Sequence, residues 1–303
     1  MATAFVAFDL DGTLGSFDPV GPWSSIFSVE TLENGINKAS LSAALKERLR
    51  AAERLFIEKI KADKKMMNLI FRPNLDALMT PLIKAKRAGK IGAVCMYSNT
   101  FETFTMYFAK RIIEERYAYP GFFDCLVDST HPIRKYDWDQ NKEDTVQPLK
   151  TFHGLKKIFK TLCGVKETIQ PENILFVDDR RAKHHLEAEE KNGLTYLQVS
   201  SYVPDFSKEM RKRAYIMGLE VLLETNLVDC PAFLSSKIFH TEKPMMVGNN
   251  YSMMKIDGVF NMLRIVENDM LTPYQGPKTF KNDTGLIRRT ILVFLFRCSQ
   301  KTK

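Results

Sequence analysis

Three short apolar segments each end in polar residues, and this arrangement limits the possible folds more than any other feature of the sequence. AFVAF (4–8) is followed by DLDGT, IGAVCMY (91–97) by SNT, and NILFV (173–177) by DDR. Short continuous apolar runs are typical of parallel strands buried on both faces. Ligands of open α/β sheets bind beyond the carboxyl ends of the strands, so we expect the three polar segments to meet in one pocket.

Helical patterns separate these strands. Apolar residues recur at helical spacing between them, which is typical of helices that cover a sheet. The predicted helices lie at 40–65, 72–90, 101–117 and 149–164, and two further strands are predicted at 122–128 and 194–200. Alternating strands and helices predict an α/β fold with a Rossmann-like, doubly wound parallel sheet.

The alternation ends near residue 205, which suggests a domain boundary. We expect a core at 1–205 with a small helical insertion at about 15–71. Residues 206–303 form a C-terminal extension of unknown role, in which 208–226 has a helical pattern. The tail beyond 277 is basic, and we expect it to be poorly ordered.

Charge and cysteine content indicate the kinds of partner and compartment. The 303 residues carry a formal net charge of +8, which favours acidic partners such as nucleic acid or phosphorylated protein. The five cysteines are scattered, without metal-ligand spacing, as expected for reduced thiols in an intracellular protein, either cytoplasmic or nuclear.

No membrane partner is expected from the apolar segments. The N-terminus lacks the basic and long apolar regions of a secretory signal. The longest C-terminal apolar run, ILVFLF at 291–296, is far shorter than the roughly 20 residues that a membrane span needs. The sequence leaves the oligomeric state open.

Asp9 and Asp11, in the segment FDLDGTL, place two carboxylates close together. Residues two apart on an extended chain project to the same side, about 6.6 Å apart along the strand. Carboxylates roughly 4 Å apart repel by several kcal/mol even at an effective dielectric constant near 20. Bound Mg²⁺ would remove this repulsion, because it prefers oxygen ligands. Gly12 allows backbone angles barred to other residues, and Thr13 can hydrogen-bond the turn.

This segment resembles the first motif, DxDx(T/V), of the haloacid-dehalogenase-like (HAD) phosphohydrolase superfamily. The resemblance implies that Asp9 is the nucleophile that forms an aspartyl-phosphate. It implies that Asp11 is the general acid/base and that its backbone carbonyl faces the Mg²⁺ ion. In this family an acid at the second position distinguishes phosphatase-like members from dehalogenases.

The second and fourth motifs of the same family match the other two strand ends. The resemblance implies that Ser98 and Asn99, in MYSNT, bind the phosphoryl group together with Thr13. It implies that Asp178 and Asp179, in ILFVDDR, hold Mg²⁺ directly or through water. Each motif alone also fits a turn or a helix cap, but their order and shared position after strands favour the family.

The third motif is a lone lysine, which would neutralise the nucleophile and the phosphate. Lys150 begins a helical segment that precedes the fourth-motif strand, as in the family, and we expect it to fill this role. Lys135, Lys142 and Lys156 remain alternatives at this point.

The layout is most similar to that of phosphatases acting on the RNA polymerase C-terminal domain. RPNLDALM before the second motif and FFDCLVDSTHP after it carry this resemblance. That subfamily favours Glu at the position of Gly12 and Thr at that of Ser98, and DLDGT is commoner in small-molecule phosphatases.

The sequence therefore predicts a Mg²⁺-dependent phosphomonoester hydrolase. A protein phosphatase is favoured, because the small insertion would leave the site open to macromolecules. The alternatives are a phosphatase of small molecules or of nucleic-acid 3′ ends, and a HAD-like binding module with weak or no catalysis.

Overall fold

The computed structural model describes residues 3–17, 20–29, 41–100, 103–140, 148–180, 190–204, 206–234, 237–247, 250–257 and 283–300. The chain divides into two compact units. Unit 1 comprises Met1–Ser16, Phe71–Val203 and Lys278–Lys303, and unit 2 comprises Phe17–Ile70 and Pro204–Pro277.

The described residues contain ten α-helices, four of which follow one another between the first two strands. They are α1 (Gly21–Phe27), α2 (Ala43–Ala62), α3 (Lys64–Ile70), α4 (Leu75–Arg87), α5 (Thr103–Arg116), α6 (Lys135–Gln140), α7 (Phe152–Thr161), α8 (Lys208–Glu224), α9 (Pro231–Leu234) and α10 (Thr284–Gln300).

Unit 1 contains a five-stranded parallel sheet in the order β3–β2–β1–β4–β5. The strands are β1 (Ala4–Phe8), β2 (Ile91–Tyr97), β3 (Cys125–Val127), β4 (Ile174–Asp178) and β5 (Thr195–Gln198). The chain starts at the central strand and extends the sheet on both sides, which is the doubly wound arrangement. The predicted α/β, Rossmann-like fold is confirmed.

One face of this sheet packs against α7. Phe5 and Ala7 of β1 alternate with residues that point to the opposite face, as strand geometry requires. They join a cluster that includes Leu155, Ile158 and Phe159 of α7, all of which are buried. This packing fixes the start of α7 near the carboxyl edge of the sheet.

The C-terminal helix α10 belongs to unit 1, where it packs against α4 and β5. Ile287, Ile291, Phe294 and Cys298 recur at helical spacing and are buried. The expectation of a poorly ordered tail is therefore wrong for these residues. An amphipathic pattern with an apolar face toward the core outweighs the basic composition of the tail.

Unit 2 combines residues from two distant parts of the chain. In α2, Leu49, Phe56 and Ile60 form a buried apolar stripe, and the Ser42 side chain accepts a hydrogen bond from Leu45 N at 3.2 Å. Lys59 of the same helix bonds two glutamates of α8, Glu220 and Glu224, at 2.8 Å each.

The indole of Trp23 packs closely on α8. A Cβ atom added at Gly218 would lie 2.1 Å from the Trp23 ring, so only glycine fits there. Trp23 also stacks on Phe27 at 5.7 Å between ring centroids.

A hairpin that was not predicted from the sequence follows in unit 2. The strands β6 (Lys237–Val247) and β7 (Asn250–Asp257) pair in antiparallel fashion. The predicted extension, 206–303, is thus divided between the two units, and the insertion at about 15–71 shares unit 2 with residues 204–277. Within the described ranges, no helix combines the length and hydropathy needed to cross a bilayer.

Candidate active site

Two neighbouring strands bring the predicted acids together at the carboxyl edge of the sheet. Asp9 follows β1, and its backbone N donates to Val177 O at 2.9 Å. Asp178 is the last residue of β4, and Asp179 follows it. Because β1 and β4 pair in parallel, with Phe8 opposite Val177, the three acids emerge at the same level.

The carboxylates of Asp9, Asp178 and Asp179 form one buried cluster. One oxygen from each lies within 4.8 Å of the others. All three side chains are buried, with residue exposures of 7%, 2% and 7% in that order. The predicted convergence of these acids is therefore present in the structure.

Lys150 lies between two of these acids. Its Nζ is 2.6 Å from Asp9 Oδ1 and 2.7 Å from Asp178 Oδ2. Of the alternative lysines, Lys135 is exposed, and Lys156 lies over the Phe152 ring at 5.2 Å. Lys142 lies outside the described residues. Lys150 is thus the candidate that the fold brings to the acids.

Burial and charge shift the pKa values in this cluster. Burial raises the pKa of Asp178, and repulsion from Asp9 adds to this, giving about 6 despite the neighbouring Lys150. Burial also raises the pKa of Asp179. Burial opposes the charged form of Lys150, but Asp178 and Asp9 outweigh it and raise the lysine pKa.

The donor set fits a hard divalent cation. Three carboxylates and one ammonium leave two negative charges uncompensated in the cluster, if all are ionised. The ligand atoms are oxygens, which Mg²⁺ and Ca²⁺ prefer, and neither histidine nor cysteine is part of the group. Asp9, Asp178 and Asp179 are therefore the residues that would hold a metal ion.

The turn after β1 is closely packed against Asp179. Gly12 has a φ of 76°, and a Cβ atom there would lie 2.4 Å from Asp179 Oδ2. Both the backbone angle and the space require glycine. Thr13 is fully buried, and its hydroxyl accepts a hydrogen bond from Asp179 N at 2.8 Å. The structure thus uses Thr13 to hold a cluster acid.

Asp11 lies apart from the buried acids. Its side chain is exposed, and its carboxylate is not one of the group formed by the other three. The predicted metal contact of Asp11 would come from its backbone carbonyl, and this stays a prediction. The Asp11 side chain is accessible to solvent, and its predicted acid/base role also stays a prediction.

Ser98 and Asn99 follow β2, which pairs with β1 on the side opposite β4. Ser98 is buried, and its Oγ accepts a hydrogen bond from Thr100 N at 3.3 Å. Asn99 is partly buried. The register, with Phe8 opposite Met96, places Ser98 at the same edge of the sheet as Asp9, and phosphate binding by Ser98 stays a prediction.

A buried network that was not predicted from the sequence joins the Ser98 loop to the Lys150 loop. Arg134 donates to Ser98 O at 2.7 Å and to Leu149 O at 2.8 Å. Its Nε donates to Asp137 Oδ2 at 3.1 Å, and its guanidinium lies over the Tyr97 ring at 4.4 Å. Arg134 therefore holds the backbone of both loops.

Asp137 completes this network from α6. It accepts hydrogen bonds from the Tyr97 hydroxyl and from Thr151 Oγ1, the latter at 2.6 Å. Thr151 follows Lys150 and caps α7 through Gly154 N at 2.9 Å. The only local signal was a pair of opposite charges three apart in HPIRKYDWD, which is common on exposed helices.

Comparisons with known proteins give similarities of structure only. No protein-family model matches this sequence, and no curated protein is similar to it in sequence. A HAD-superfamily hydrolase from Geobacter sulfurreducens is 14% identical, with a TM-score of 0.31, and the match covers 67% of this chain and 92% of that one.

Two other solved structures give similar values. A HAD phosphatase from Thermococcus onnurineus is 15% identical, with a TM-score of 0.30 and coverage of 65% of this chain and 86% of that one. A haloacid dehalogenase-like hydrolase from Streptococcus pneumoniae is 14% identical, with a TM-score of 0.31 and coverage of 74% and 98%. At TM-scores of this size, function has to be inferred from the residues of this chain.

Proposed function

We propose that this protein is a Mg²⁺-dependent phosphomonoester hydrolase that acts through an aspartyl-phosphate on Asp9. One observation supports this above the others. Asp9 directly follows the central strand, in contact with the Lys150 ammonium, in a buried group with two further carboxylates. A structural ion pair with Lys150 needs only one carboxylate. The other two carboxylates leave negative charge that a bound cation would neutralise.

In the proposed first step, a carboxylate oxygen of Asp9 attacks the phosphorus atom. The bond between phosphorus and the ester oxygen breaks, and Asp11 gives that oxygen its proton. In the second step, Asp11 takes a proton from water, and the resulting hydroxide attacks the aspartyl-phosphate. Inorganic phosphate leaves, and Asp9 and the protonated Asp11 are regenerated.

The remaining residues stabilise negative charge on the phosphoryl group. Mg²⁺ held by Asp9, Asp178 and Asp179 would supply positive charge at the phosphoryl oxygens. Lys150 supplies a fixed ammonium within hydrogen-bond distance of the nucleophile. Arg134 holds the Ser98 backbone at 2.7 Å, so the Ser98 loop is positioned before substrate binds.

Hydrolysis of p-nitrophenyl phosphate by the purified protein tests this proposal. We expect turnover with Mg²⁺, none with EDTA, and none in Asp9→Asn, because an amide cannot form the phosphoenzyme. Asp76→Asn is the matched control, because Asp76 pairs with Arg116 on the surface of unit 1. A wild-type protein without turnover of any phosphoester would favour a HAD-like binding module.

The intermediate can be sought directly. In Asp11→Asn, attack by Asp9 can still occur with a good leaving group, but water is no longer activated. We expect this variant to gain the mass of one phosphoryl group on the peptide that contains Asp9. Label on any other residue would contradict the assigned nucleophile.

For the substrate class, we propose a phosphorylated protein. The resemblance of RPNLDALM and FFDCLVDSTHP to the polymerase-tail phosphatases supports this. Gly12 favours a second candidate, a small-molecule phosphatase. The polymerase-tail phosphatases favour Glu at this position, and the φ of 76° and the close approach of Asp179 exclude a glutamate here. Relative kcat/KM for phosphopeptides, sugar phosphates and 3′-phosphorylated oligonucleotides separates these classes.

A further inference from the structure

Arg72 is buried within unit 1, and its guanidinium forms an ion pair with Asp283 of the C-terminal segment. Its side chain has no exposed surface, and its Nη2 lies 3.2 Å from Asp283 Oδ1. Burial lowers the pKa of Arg72, and Asp283 acts against that shift. The other end of the guanidinium faces the active-site turn, where Nη1 donates to Thr13 O at 2.9 Å.

Asp283 connects three separate segments of unit 1. It precedes α10, and its backbone carbonyl accepts the hydrogen bond of Ile287 N at 2.9 Å. Its carboxylate accepts hydrogen bonds from Asn74 Nδ2 at 2.5 Å and from Ser200 N at 2.6 Å. One carboxylate thus holds the start of α4, the loop after β5 and the start of α10.

Both of these connections lead to Asp179. On one side, Arg72 holds the Thr13 carbonyl, and the Thr13 hydroxyl accepts from Asp179 N at 2.8 Å. On the other side, Asp283 holds Ser200, and the neighbouring Ser201 hydroxyl hydrogen-bonds the Asp179 carboxylate. Thr13 therefore lies between the Arg72–Asp283 pair and the backbone of Asp179, and Ser200 and Ser201 lie between the pair and the Asp179 carboxylate.

We propose that Asp283 is a positioning residue for the metal site, acting through Arg72 and Ser200 on Asp179. The proposal rests on the proposed function to the extent that the acid cluster binds Mg²⁺. Residues that orient metal ligands from behind commonly change metal affinity by about 10- to 100-fold when they are mutated. The C-terminal segment, to which the sequence assigned no role, would thereby tune the site.

A purely structural role for the pair would have a different signature. A buried ion pair that only stabilises the fold affects unfolding and leaves metal affinity unchanged in the molecules that remain folded. Positioning changes the Mg²⁺ dissociation constant itself. Calorimetric titration of the full-length protein with Mg²⁺ distinguishes the two without relying on turnover.

The main variant is Asp283→Asn, which keeps the shape of the side chain and removes its charge. We expect its Mg²⁺ dissociation constant to rise at least about tenfold. Asp124→Asn is the matched control, because Asp124 also accepts a backbone N–H, from Val94 at 2.7 Å, and pairs with Lys86 at 2.6 Å. We expect the control to bind Mg²⁺ like the wild type.

A second variant covers the case in which Asp283→Asn does not fold. The double variant Arg72→Gln/Asp283→Asn leaves no buried charge unpaired, and we expect the same loss of Mg²⁺ affinity. A dissociation constant within about twofold of wild type in either folded variant would overturn the proposal. Wild-type protein that binds Mg²⁺ without turnover would overturn the proposed function alone, and failure to bind Mg²⁺ would overturn both.

Discussion

The ammonium group of Lys150 lies between two carboxylates that would otherwise face each other in a buried site. Its Nζ is within 2.7 Å of both Asp9 and Asp178. In low-dielectric surroundings, removal of one partner from such a group leaves charge without compensation. Lys150 therefore compensates buried negative charge in the metal-free protein, and the proposed mechanism uses the same side chain.

Lys150→Met should reduce turnover of p-nitrophenyl phosphate by about 10²- to 10³-fold, because a fixed positive charge at the nucleophile is lost. It should also lower the Tm of the metal-free protein. Lys156→Met is the matched control, since Lys156 lies in the following helix, α7, and contacts the Phe152 ring. An equal loss of activity in both variants would contradict the assignment.

The raised pKa of Asp178, about 6, gives a pH dependence with a defined sign. In the unfolded chain this group has a pKa of about 3.9, so at pH values between about 3.9 and about 6 the folded state binds more protons. Ionisation of Asp178 therefore lowers the unfolding free energy of the metal-free protein as pH rises from about 4 to 6.

Mg²⁺ binding offsets this loss of unfolding free energy, because the metal binds the ionised carboxylate of Asp178. We expect the Mg²⁺-induced rise in Tm to be large at about pH 7.5 and small at about pH 5, where protons compete for Asp178. Thermal unfolding with and without Mg²⁺ measures it. A larger Mg²⁺ effect at the lower pH would contradict the prediction.

The start of helix α7 packs closely against the hydrogen-bonded network of Tyr97, Arg134 and Asp137. A Cβ atom at Gly154 would lie 2.7 Å from both Asp137 Oδ1 and the Tyr97 hydroxyl. These atoms cannot easily move, because Asp137 also holds Arg134 and Thr151. The helix approaches the sheet closely only because this position lacks a side chain.

Gly154→Ala should therefore destabilise the protein by about 1–3 kcal/mol, the usual cost of an overpacked core. Gly285→Ala is the control, because a Cβ atom added at Gly285, in α10, would point into open space. That change should be neutral or stabilising by about 0.5–1 kcal/mol, since alanine favours helix. Denaturant unfolding measures both, and equal effects would contradict the packing argument.

Elements with a strong local pattern could be predicted from the sequence. β1 and β2 have the predicted bounds, because continuous apolar runs between polar residues are a local signal. β3 is shorter than predicted, since only Cys125–Val127 pairs with β2. The hairpin of β6 and β7 was missed because its methionines and lysines have no strong strand preference.

The residues of the site divide in the same way, into those with a local sequence signal and those that pair over a long distance in the sequence. Asp9, Asp178 and Asp179 each follow a recognisable strand, so their meeting could be predicted from parallel pairing. Arg72 and Asp283 are 211 positions apart, and no pattern in the sequence marks them as partners. Long-range pairs of this kind depend on packing that composition and periodicity do not encode.

For the whole molecule, each unit contains one tryptophan. Trp23 lies in unit 2 and is fully buried, whereas Trp138 lies in unit 1, where its Nε1 donates to Ser129 O at 2.8 Å. The protein has two tryptophans in all. Fluorescence of single-tryptophan variants can therefore follow the two units separately.

We expect Mg²⁺ to raise the unfolding midpoint reported by Trp138 in Trp23→Phe, because the acid cluster belongs to unit 1. At a Mg²⁺ concentration of about 100 times the dissociation constant, the gain is about 2.7 kcal/mol. Trp138→Phe, read through Trp23, is the companion measurement. An increase reported by Trp23 alone would contradict the location of the site.

Unit 2 could not be predicted as one body from the sequence. Its parts, Phe17–Ile70 and Pro204–Pro277, are separated by most of the sheet. In the sequence they read as an insertion and an extension, because each has its own local pattern. Contacts between side chains distant in sequence, such as Trp23 against Gly218 and Lys59 with Glu220, bring them together.

The chain leaves unit 1 twice, and each departure and return lie side by side. Gly15 and Phe71 form a bridge at the first, and Ser200 N bonds Asp283 Oδ2 at 2.6 Å at the second. Either excursion can therefore be exchanged for a longer or shorter one without rethreading the sheet. Replacement of these excursions, by evolution or by design, could change the substrate specificity of such a scaffold. The residues at the strand ends would stay unchanged.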